Sequence, residues 1–571
     1  MFGFSQQRVA PVCVPEKLII RDYVSQVDSG IEFDVVPMAK VTSCYETWSD
    51  KLLGDKDEDY ILDGILNGFN IVDDNGLPPS FTRMNYKSTA GLNKFKVEKR
   101  ILEEVGKGNY IRTKTCPNNV SALGAIPKDV DDVRIIHDLS KPDGGINCLA
   151  WDTSVVYTSI DKVTSKIKAS SYLAKVDLKA AYRSIPIHKD CYKLTGIKWK
   201  FDGDQCSTYL FDAKLPFGAA KSCRIFQTVT DSICRIMLKS GFVVESYIDD
   251  FICIGDDELS CLTCYNALIE LIQMLGLDVN FQKVCEPTRV LTFLGVVINC
   301  DQRTLSLPEC KLIELKKLVA GFITKKKVTK LELQKILGKL NWASRVIKGG
   351  RSFMRRLIDL SCVPKQPYHY VRLGSEAKLD LSWWIKGLAL FHGSCGFKCD
   401  LPLPRFCFAT DACPTGGGGF LGTDWFYVNW ELDCPELVGS HINELELATV
   451  FIALSRWGSK LSGTHVRIRS DNMATVSALN KSTTRGPALM PWVREIFWLC
   501  VRYDITITSR HIPGIENILA DRVSRLDSIR EAMDARVILA NFTGNLVFCN
   551  SHMTYLSFVS LQAKWIRDLL Y

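Results

Sequence analysis

The chain has 571 residues, 47% hydrophobic and 23% charged, with a formal net charge of +8. That is too long for a single core, so about three to four globular domains are expected. No run approaches the roughly 18 uninterrupted apolar residues of a membrane span, and Met1-Phe2-Gly3-Phe4 opens no charged-then-apolar signal pattern. These features exclude a membrane partner and predict an intracellular protein, cytoplasmic or nuclear. The 22 cysteines are scattered, many in apolar runs such as those around Cys253, Cys300 and Cys500, as reduced buried thiols are. Cys261 with Cys264, and Cys395 with Cys399, lack a second ligand pair at zinc-finger distance, so buried or surface thiols are the better reading.

In chain order, residues 1–85 form an N-terminal extension without nameable chemistry. Asp28-Ser29-Gly30 matches an aspartic-protease triplet, but no apolar strand precedes it, and Leu77-Pro78-Pro79-Ser80 reads as a linker. A lysine-rich helix is expected over 93–104, an extended segment over 121–127 and a strand over 133–137. Asp143-Gly144-Gly145 is a turn signal, and residues 172–176 read as a buried strand ending at Asp177. Pro216-Phe217-Gly218 breaks the chain before a long helix marked by Ala219, Cys223, Phe226, Thr230, Ile233 and Met237 at helical spacing. Residues 242–254 read as a hairpin with Asp249 and Asp250 at its tip, and 291–299 as a further strand.

Residues 311–360 read as helical, with Leu333, Leu337, Leu340, Ala343 and Ile347 as the apolar stripe. Between Lys311 and Arg356 stand 14 Lys or Arg against two acids, Glu314 and Glu332, a segment of +12 that leaves −4 for the rest of the chain. A solvated helix face and a grip on a phosphate backbone are both consistent with such a run. Leu401-Pro402-Leu403-Pro404 marks a boundary. Beyond it the expected order is a strand over 406–410, a glycine turn over 416–419, further strands, a helix over 443–457, a strand over 466–470, helices, a strand over 505–509 and a helix over 516–526. This is a mixed α/β domain. Residues 529–571 are an apolar-rich tail without a motif.

Two groups of acids carry chemistry. Asp177 with Asp249 and Asp250 suits nucleotidyl transfer, in which divalent ions are held by carboxylates shared with substrate phosphates. A pair of acids at a surface turn is the bland alternative. Tyr182, five residues after Asp177, is an aromatic ring placed to block a ribose 2′-hydroxyl. Phe217 and Gly218 form a turn on which a nucleotide can pack, and Lys128 and Arg134 are upstream cations for a triphosphate. The second group is Asp411, Glu446, Asp471 and Asp521. Glu446 shares the apolar stripe of Ile442, Val450, Ala453 and Trp457, where a carboxylate is costly unless paired or metal-bound. Glu444, two residues away, lies off that stripe.

The first group, in its context, resembles the reverse transcriptases. The ordered matches are Ala125-Ile126-Pro127-Lys128, Val133 to Leu139, Asp177 to Tyr182, Leu215-Pro216-Phe217-Gly218 with Ile225-Phe226-Gln227, Tyr247-Ile248-Asp249-Asp250, Lys283, and Phe293-Leu294-Gly295. By this resemblance Asp177, Asp249 and Asp250 are the catalytic acids, Tyr182 is the sugar gate, Arg134 binds the triphosphate and Lys283 acts near the leaving group. Phe217 stands where retroviral enzymes carry Gln. The second group resembles ribonuclease H, which implies four carboxylates holding two Mg²⁺, with His511 assisting proton transfer or product release.

The implied fold is multidomain, α+β and α/β. It comprises right-hand polymerase fingers and palm over 86–300, a basic helical thumb or connection over 301–400, and a ribonuclease H-like mixed-sheet domain over 401–528. Asp138-Leu139-Ser140-Lys141-Pro142, Ile442 to Leu447, and His511-Ile512-Pro513-Gly514 with Ala520 to Arg525 are most similar to DIRS-type retrotransposons. The resemblance implies an RNA-directed DNA polymerase with ribonuclease H activity and two Mg²⁺ per site, replaceable by Mn²⁺. The implied partners are an RNA template, a DNA primer, an RNA–DNA hybrid and deoxynucleoside triphosphates, with a recombinase or integrase encoded separately. A decayed or domesticated copy that binds nucleic acid without catalysis is the alternative.

Overall fold

A computed structural model describes residues 35–73, 78–128 and 132–526. The Asp28-Ser29-Gly30 triplet, Leu77 and the 529–571 tail lie outside the described residues. The chain divides into two compact units, Met1–Phe293 and Leu294–Tyr571. Among the described residues no helix is long and apolar enough to cross a membrane.

In the first unit a four-stranded sheet runs in the order Cys285–Thr288, Tyr172–Asp177, Asp250–Gly255 and Val243–Tyr247, with neighbours antiparallel. Val176, Phe251 and Cys253 are fully buried. Helices Ser222–Lys239 and Glu258–Met274 pack against it. The second of these starts at a reciprocal cap between Asp257 and Ser260, which satisfies two otherwise unpaired backbone N–H groups. A smaller subdomain combines the hairpin Ala122–Pro127 with Val133–Asp138, the helix Lys94–Gly106, and the strands Tyr110–Thr113, Gly196–Trp199 and Thr208–Asp212. Sheet and hairpin occupy the stretches expected as palm and fingers.

The expectation of a separate extension over 1–85 is corrected for its described part. Helices Tyr45–Leu52 and Glu58–Asn67 place Trp48, Leu52, Ile61 and Ile65, all fully buried, in the same core as Val176 and Phe226. The Trp48 indole donates to the Leu275 carbonyl oxygen at 2.9 Å. Polar residues along these helices, among them Asp50, Asp59 and Asp63, mask that apolar face in a linear reading.

In the second unit a five-stranded mixed sheet runs Asp424–Asn429, Gly416–Leu421, Phe406–Ala412, His465–Ser470, Thr506–His511. The first three strands pair antiparallel and the last three parallel. The glycine run expected as a turn is therefore a strand. A Cβ on Gly417 would meet Thr449 Oγ1 at 2.5 Å, and one on Gly418 would meet Val523 Cγ1 at 2.6 Å. Alternate glycines thus let helix Ile442–Trp457 approach one face of the sheet and helix Ile518–Ser524 the other.

Two further element expectations are corrected. The strand expected over 291–299 is interrupted at Leu294 and Gly295, both with positive φ. The stretch expected as helical over 311–360 contains three helices, Glu309–Ile323, Lys330–Ala343 and Arg355–Cys362, and is broken by a short strand Lys327–Thr329 and a loop. The second of these starts at a Thr329–Glu332 capping box. Ile336 rather than Leu337 completes its buried face with Leu333, Leu340 and Ala343.

A boundary near residue 400 does not separate compact bodies. Asp380, fully buried on helix Ser375–Leu390, pairs with Arg356 at 3.0 Å and with Arg494 of helix Leu489–Arg502 at 3.3 Å. Phe353 stacks on Trp383 with ring centroids 4.3 Å apart.

Candidate active sites

Asp177 ends its strand directly opposite Asp250. Asp249 occupies the turn between the hairpin strands, where its carbonyl oxygen accepts from Leu178 N at 3.0 Å. The turn needs Ile248 at φ 56°, a costly region for a β-branched residue. Gln227 holds it there, because its Oε1 accepts from Ile248 N at 2.8 Å while its Nε2 donates to Ser246 and Asp231. Asp177 and Asp250 are thus cross-strand neighbours, with Asp249 in the adjoining turn. Burial, and then the neighbouring acids, raise the Asp249 carboxyl above its ordinary range, against the opposing charge of Lys283. Burial also raises Asp250, with Lys175 opposing and Asp177 reinforcing the shift. Like charges gathered out of water disfavour ionisation unless cations are supplied.

Two such cations come from the chain. Lys175 Nζ lies 2.9 Å from Asp250 Oδ1, and Lys283 Nζ lies 3.6 Å from Asp177 Oδ1. Asn280 Nδ2 donates to that same Asp177 oxygen at 2.9 Å. Sequence reasoning missed Lys175 and Asn280. Lys175 was findable, since two residues before Asp177 on a strand is the same face.

The nucleotide-binding candidates divide. Tyr182 is buried in a short helical turn, its ring stacked on Phe217 at 5.2 Å. The Arg134 guanidinium lies over the Phe217 ring at 5.4 Å. Gly218 has φ 141°, and a Cβ there would fall 1.9 Å from the His137 carbonyl oxygen, so only glycine fits. Arg183, beside Tyr182, is fixed by Glu104 at 2.9 Å and Asp212 at 2.8 Å. Lys128 does not stand free for a triphosphate: its ammonium pairs with Asp132 at 3.0 Å.

In the second unit Asp411, Glu446 and Asp471 each place a carboxylate oxygen within 4.8 Å of the others. Asp411 comes from a central strand, Asp471 follows the strand His465–Ser470, and Glu446 projects from helix Ile442–Trp457. Burial, then Asp411 and Asp471, push the Glu446 carboxyl up to about 9. Burial raises Asp411 to about 6, opposed by the Ser524 hydroxyl, which donates to its Oδ2 at 2.7 Å. Glu446 Oε2 is buried without a hydrogen-bond partner. An orphaned carboxylate oxygen beside two further carboxylates fits a hard divalent cation, which would supply the missing charge and the missing ligand.

The expected quartet is not equally gathered. Asp521 lies outside that tight cluster and is held by Arg525, whose Nε and Nη2 donate to its Oδ1 at 2.9 and 2.8 Å. His511 is exposed at a strand end, with its Nε2 3.1 Å from the Asp471 carbonyl oxygen. Asn517, unnoticed in the sequence, is buried, donates to the Thr410 carbonyl oxygen at 3.1 Å and reaches Asp471 Oδ1 at 3.5 Å. Glu444 accepts from the Trp492 indole at 3.3 Å and takes no part in the acidic cluster.

Residues 129–298 match the family described as "Reverse transcriptase (RNA-dependent DNA polymerase)". The chain therefore carries a reverse transcriptase domain. It is 22% identical over 321 residues to Protein P of heron hepatitis B virus, covering 54% of this chain and 38% of that protein. It is 22% identical over 385 residues to Polyprotein P3 of Commelina yellow mottle virus, covering 64% and 19%. It is 26% identical over 249 residues to the Gag-Pro-Pol polyprotein of Mason-Pfizer monkey virus, covering 42% and 13%. The matches thus span well under half the length of these relatives. Among solved structures, a foamy viral protease-reverse transcriptase in complex with dsDNA aligns at 15% identity and a TM-score of 0.48, covering 84% of this chain and 98% of that one.

Proposed function

We propose that the protein is an RNA-directed DNA polymerase that also degrades the RNA strand of its hybrid product, encoded by a retroelement of DIRS type. The observation that carries this reading is the presence of two acidic centres, Asp177 with Asp249 and Asp250 in one unit and Asp411 with Glu446 and Asp471 in the other. Mg²⁺, or Mn²⁺ in its place, would bind these carboxylates and stabilise charge developing on attacking and leaving oxygens. Within the chain, Asp177, Asp249 and Asp250 hold a primer 3′-hydroxyl and a triphosphate in line. Lys283 stands beside Asp177 to meet charge on the leaving group. Arg134 and the Phe217 ring support the deoxynucleoside triphosphate, and Gly218 lets the backbone close over it.

In the second centre Asp411, Glu446 and Asp471 orient water against an RNA phosphate. Asp521 joins them on release from Arg525, and His511 carries a proton at the rim. The exposed Lys316, Lys317, Lys335, Arg345, Lys348 and Arg351 supply a surface for the duplex backbone. We place the reaction in the cytoplasm or nucleus, with integration left to a separately encoded enzyme.

Primer extension on an RNA template with Mg²⁺ tests the first centre, and cleavage of a labelled RNA–DNA hybrid tests the second. Asp249→Asn is expected to abolish extension and spare cleavage, and Asp411→Asn to do the reverse. Wild-type protein that shifts a primer–template at low salt but neither extends nor cuts it would establish the binding-only alternative instead.

A further inference from the structure

The floor beneath Tyr182 contains a contact that the polymerase reading does not use. The Tyr182 hydroxyl donates to Cys223 Sγ at 3.0 Å. Cys223 stands in the first turn of helix Ser222–Lys239. Cys223 is also an electrostatic neighbour of the Tyr157 hydroxyl, and the Tyr157 ring lies 4.8 Å from that of Tyr247, the residue that leads into the Ile248-Asp249-Asp250 turn. On the other side Tyr182 stacks on Phe217, which lies under Arg134, while Phe226 closes the ring's remaining edge at 5.3 Å. A continuous set of contacts thus runs from Cys223 through Tyr182 and Phe217 to Arg134, all within the first unit.

Ring stacking restrains the plane of Tyr182 but leaves it free to slide within that plane. The hydroxyl anchor removes this freedom, because a phenol tethered at its far end cannot retreat along its own axis. Steric exclusion of one oxygen atom is sharp only when the excluding edge holds its position to a fraction of an ångström. We propose that Cys223 is a positioning residue for sugar selection: its thiol pins the Tyr182 hydroxyl, so that the ring edge stays where the 2′-hydroxyl of a ribonucleotide would have to enter. The inference rests on the reading of Tyr182 as the sugar gate.

The test is the ratio of kcat/KM for a deoxynucleotide to that for the matching ribonucleotide in single-nucleotide primer extension. It compares the wild type with Cys223→Ala, Tyr182→Phe, their double variant, Cys223→Ser and Tyr182→Ala. Losing one hydrogen bond is expected to lower the ratio on the order of fivefold in Cys223→Ala and in Tyr182→Phe alike. The double variant should fall no further than either single one, and Cys223→Ser, whose hydroxyl can still accept, should retain most of the discrimination. A merely structural role would depress both rates together and leave the ratio in place.

If Tyr182→Ala loses discrimination while Cys223→Ala and Tyr182→Phe keep it, the thiol anchor is refuted and the gate stands. A ratio lowered by Cys223→Ala but not by Tyr182→Phe, or additive losses in the double variant, also refutes the anchor. If Tyr182→Ala leaves the ratio unchanged, or the wild type incorporates neither nucleotide, the gate reading falls and the anchor with it.

Discussion

Replacing Glu446 with Gln tests the claim that the second centre is an acidic cluster assembled for a cation. In the metal-free fold this carboxyl is pushed from an ordinary 4.5 to about 9, first by burial and then by Asp411 and Asp471. The folded state therefore binds its proton more tightly than the unfolded state. The associated stability is complete below about 4.5 and is lost as pH rises towards 9. Full ionisation would cost on the order of 6 kcal/mol, since the displacement from 4.5 to about 9 counts roughly 1.4 kcal/mol per unit. Even the step from pH 5 to pH 7.5 should cost on the order of 3 kcal/mol.

Amide exchange in strand Phe406–Ala412, with EDTA present, reads this locally and does not require the whole chain to unfold in one step. Wild-type protection should fall steadily between pH 5 and 9, after correction for intrinsic exchange. Glu446→Gln, which cannot ionise, should lose most of that slope. Added Mg²⁺ should restore wild-type protection at high pH, bind more tightly as pH rises, and do little for the variant. Equal slopes for wild type and variant, or protection indifferent to pH, would refute the assignment of the cost to this carboxyl.

Four further outcomes are expected. Lys175→Ala should leave Asp250 without its ion-pair partner, moving the rising limb of the pH–rate profile upward and, above that limb, lowering the Mg²⁺ concentration needed for half-maximal primer extension, because no ammonium then competes with the cation. Gly218→Ala should abolish nucleotide addition, because its Cβ cannot coexist with the His137 carbonyl oxygen; urea denaturation should show whether the first unit remains folded. Trp48→Ala should destabilise the palm by about 3–5 kcal/mol, measured in the same way, if residues 35–73 belong to its core. Primer–template affinity should fall steeply with salt, and replacing Lys316 and Lys317 with Ala should reduce the slope of log K against log salt by about 1 to 2.

The parts legible in the sequence were those in which a short local pattern fixes both structure and chemistry. An apolar strand ending in Asp177, and a hairpin closing on Asp249 and Asp250, need only period-two alternation and a turn to bring three acids together. Glu446 was legible as a carboxylate on an otherwise apolar helical stripe, and the structure surrounds it with Asp411 and Asp471. Ile442, by contrast, heads that stripe in sequence and is exposed.

What the sequence hid depends on partners distant in the chain. Gly416 to Gly419 read as a turn because glycine permits one; they form a strand because Thr449 on one side and Val523 on the other leave no room for a side chain. Trp48 carried no visible role, since the Leu275 carbonyl oxygen that its indole meets lies more than two hundred positions away. Lys128 looked available for a triphosphate until Asp132, four residues on, was seen to hold it.

Asp521 stands apart from the other three acids. A sequence order of Asp, Glu, Asp, Asp weights them equally. The fold buries Asp411 and Glu446 against Asp471, and gives Asp521 a guanidinium from Arg525 one helical turn away. Three crowded carboxylates, with Glu446 Oε2 buried and unpartnered, are poised to take up a cation, whereas a carboxylate already paired at an exposed helix end must first break an ion pair. Exposed pairs of that kind are weak, of the order of 0–1 kcal/mol, so under the proposed function a substrate phosphate competing for Arg525 would free Asp521. In the proposed cleavage reaction the fourth ligand would then be recruited by the substrate, whose phosphate the cations must grip.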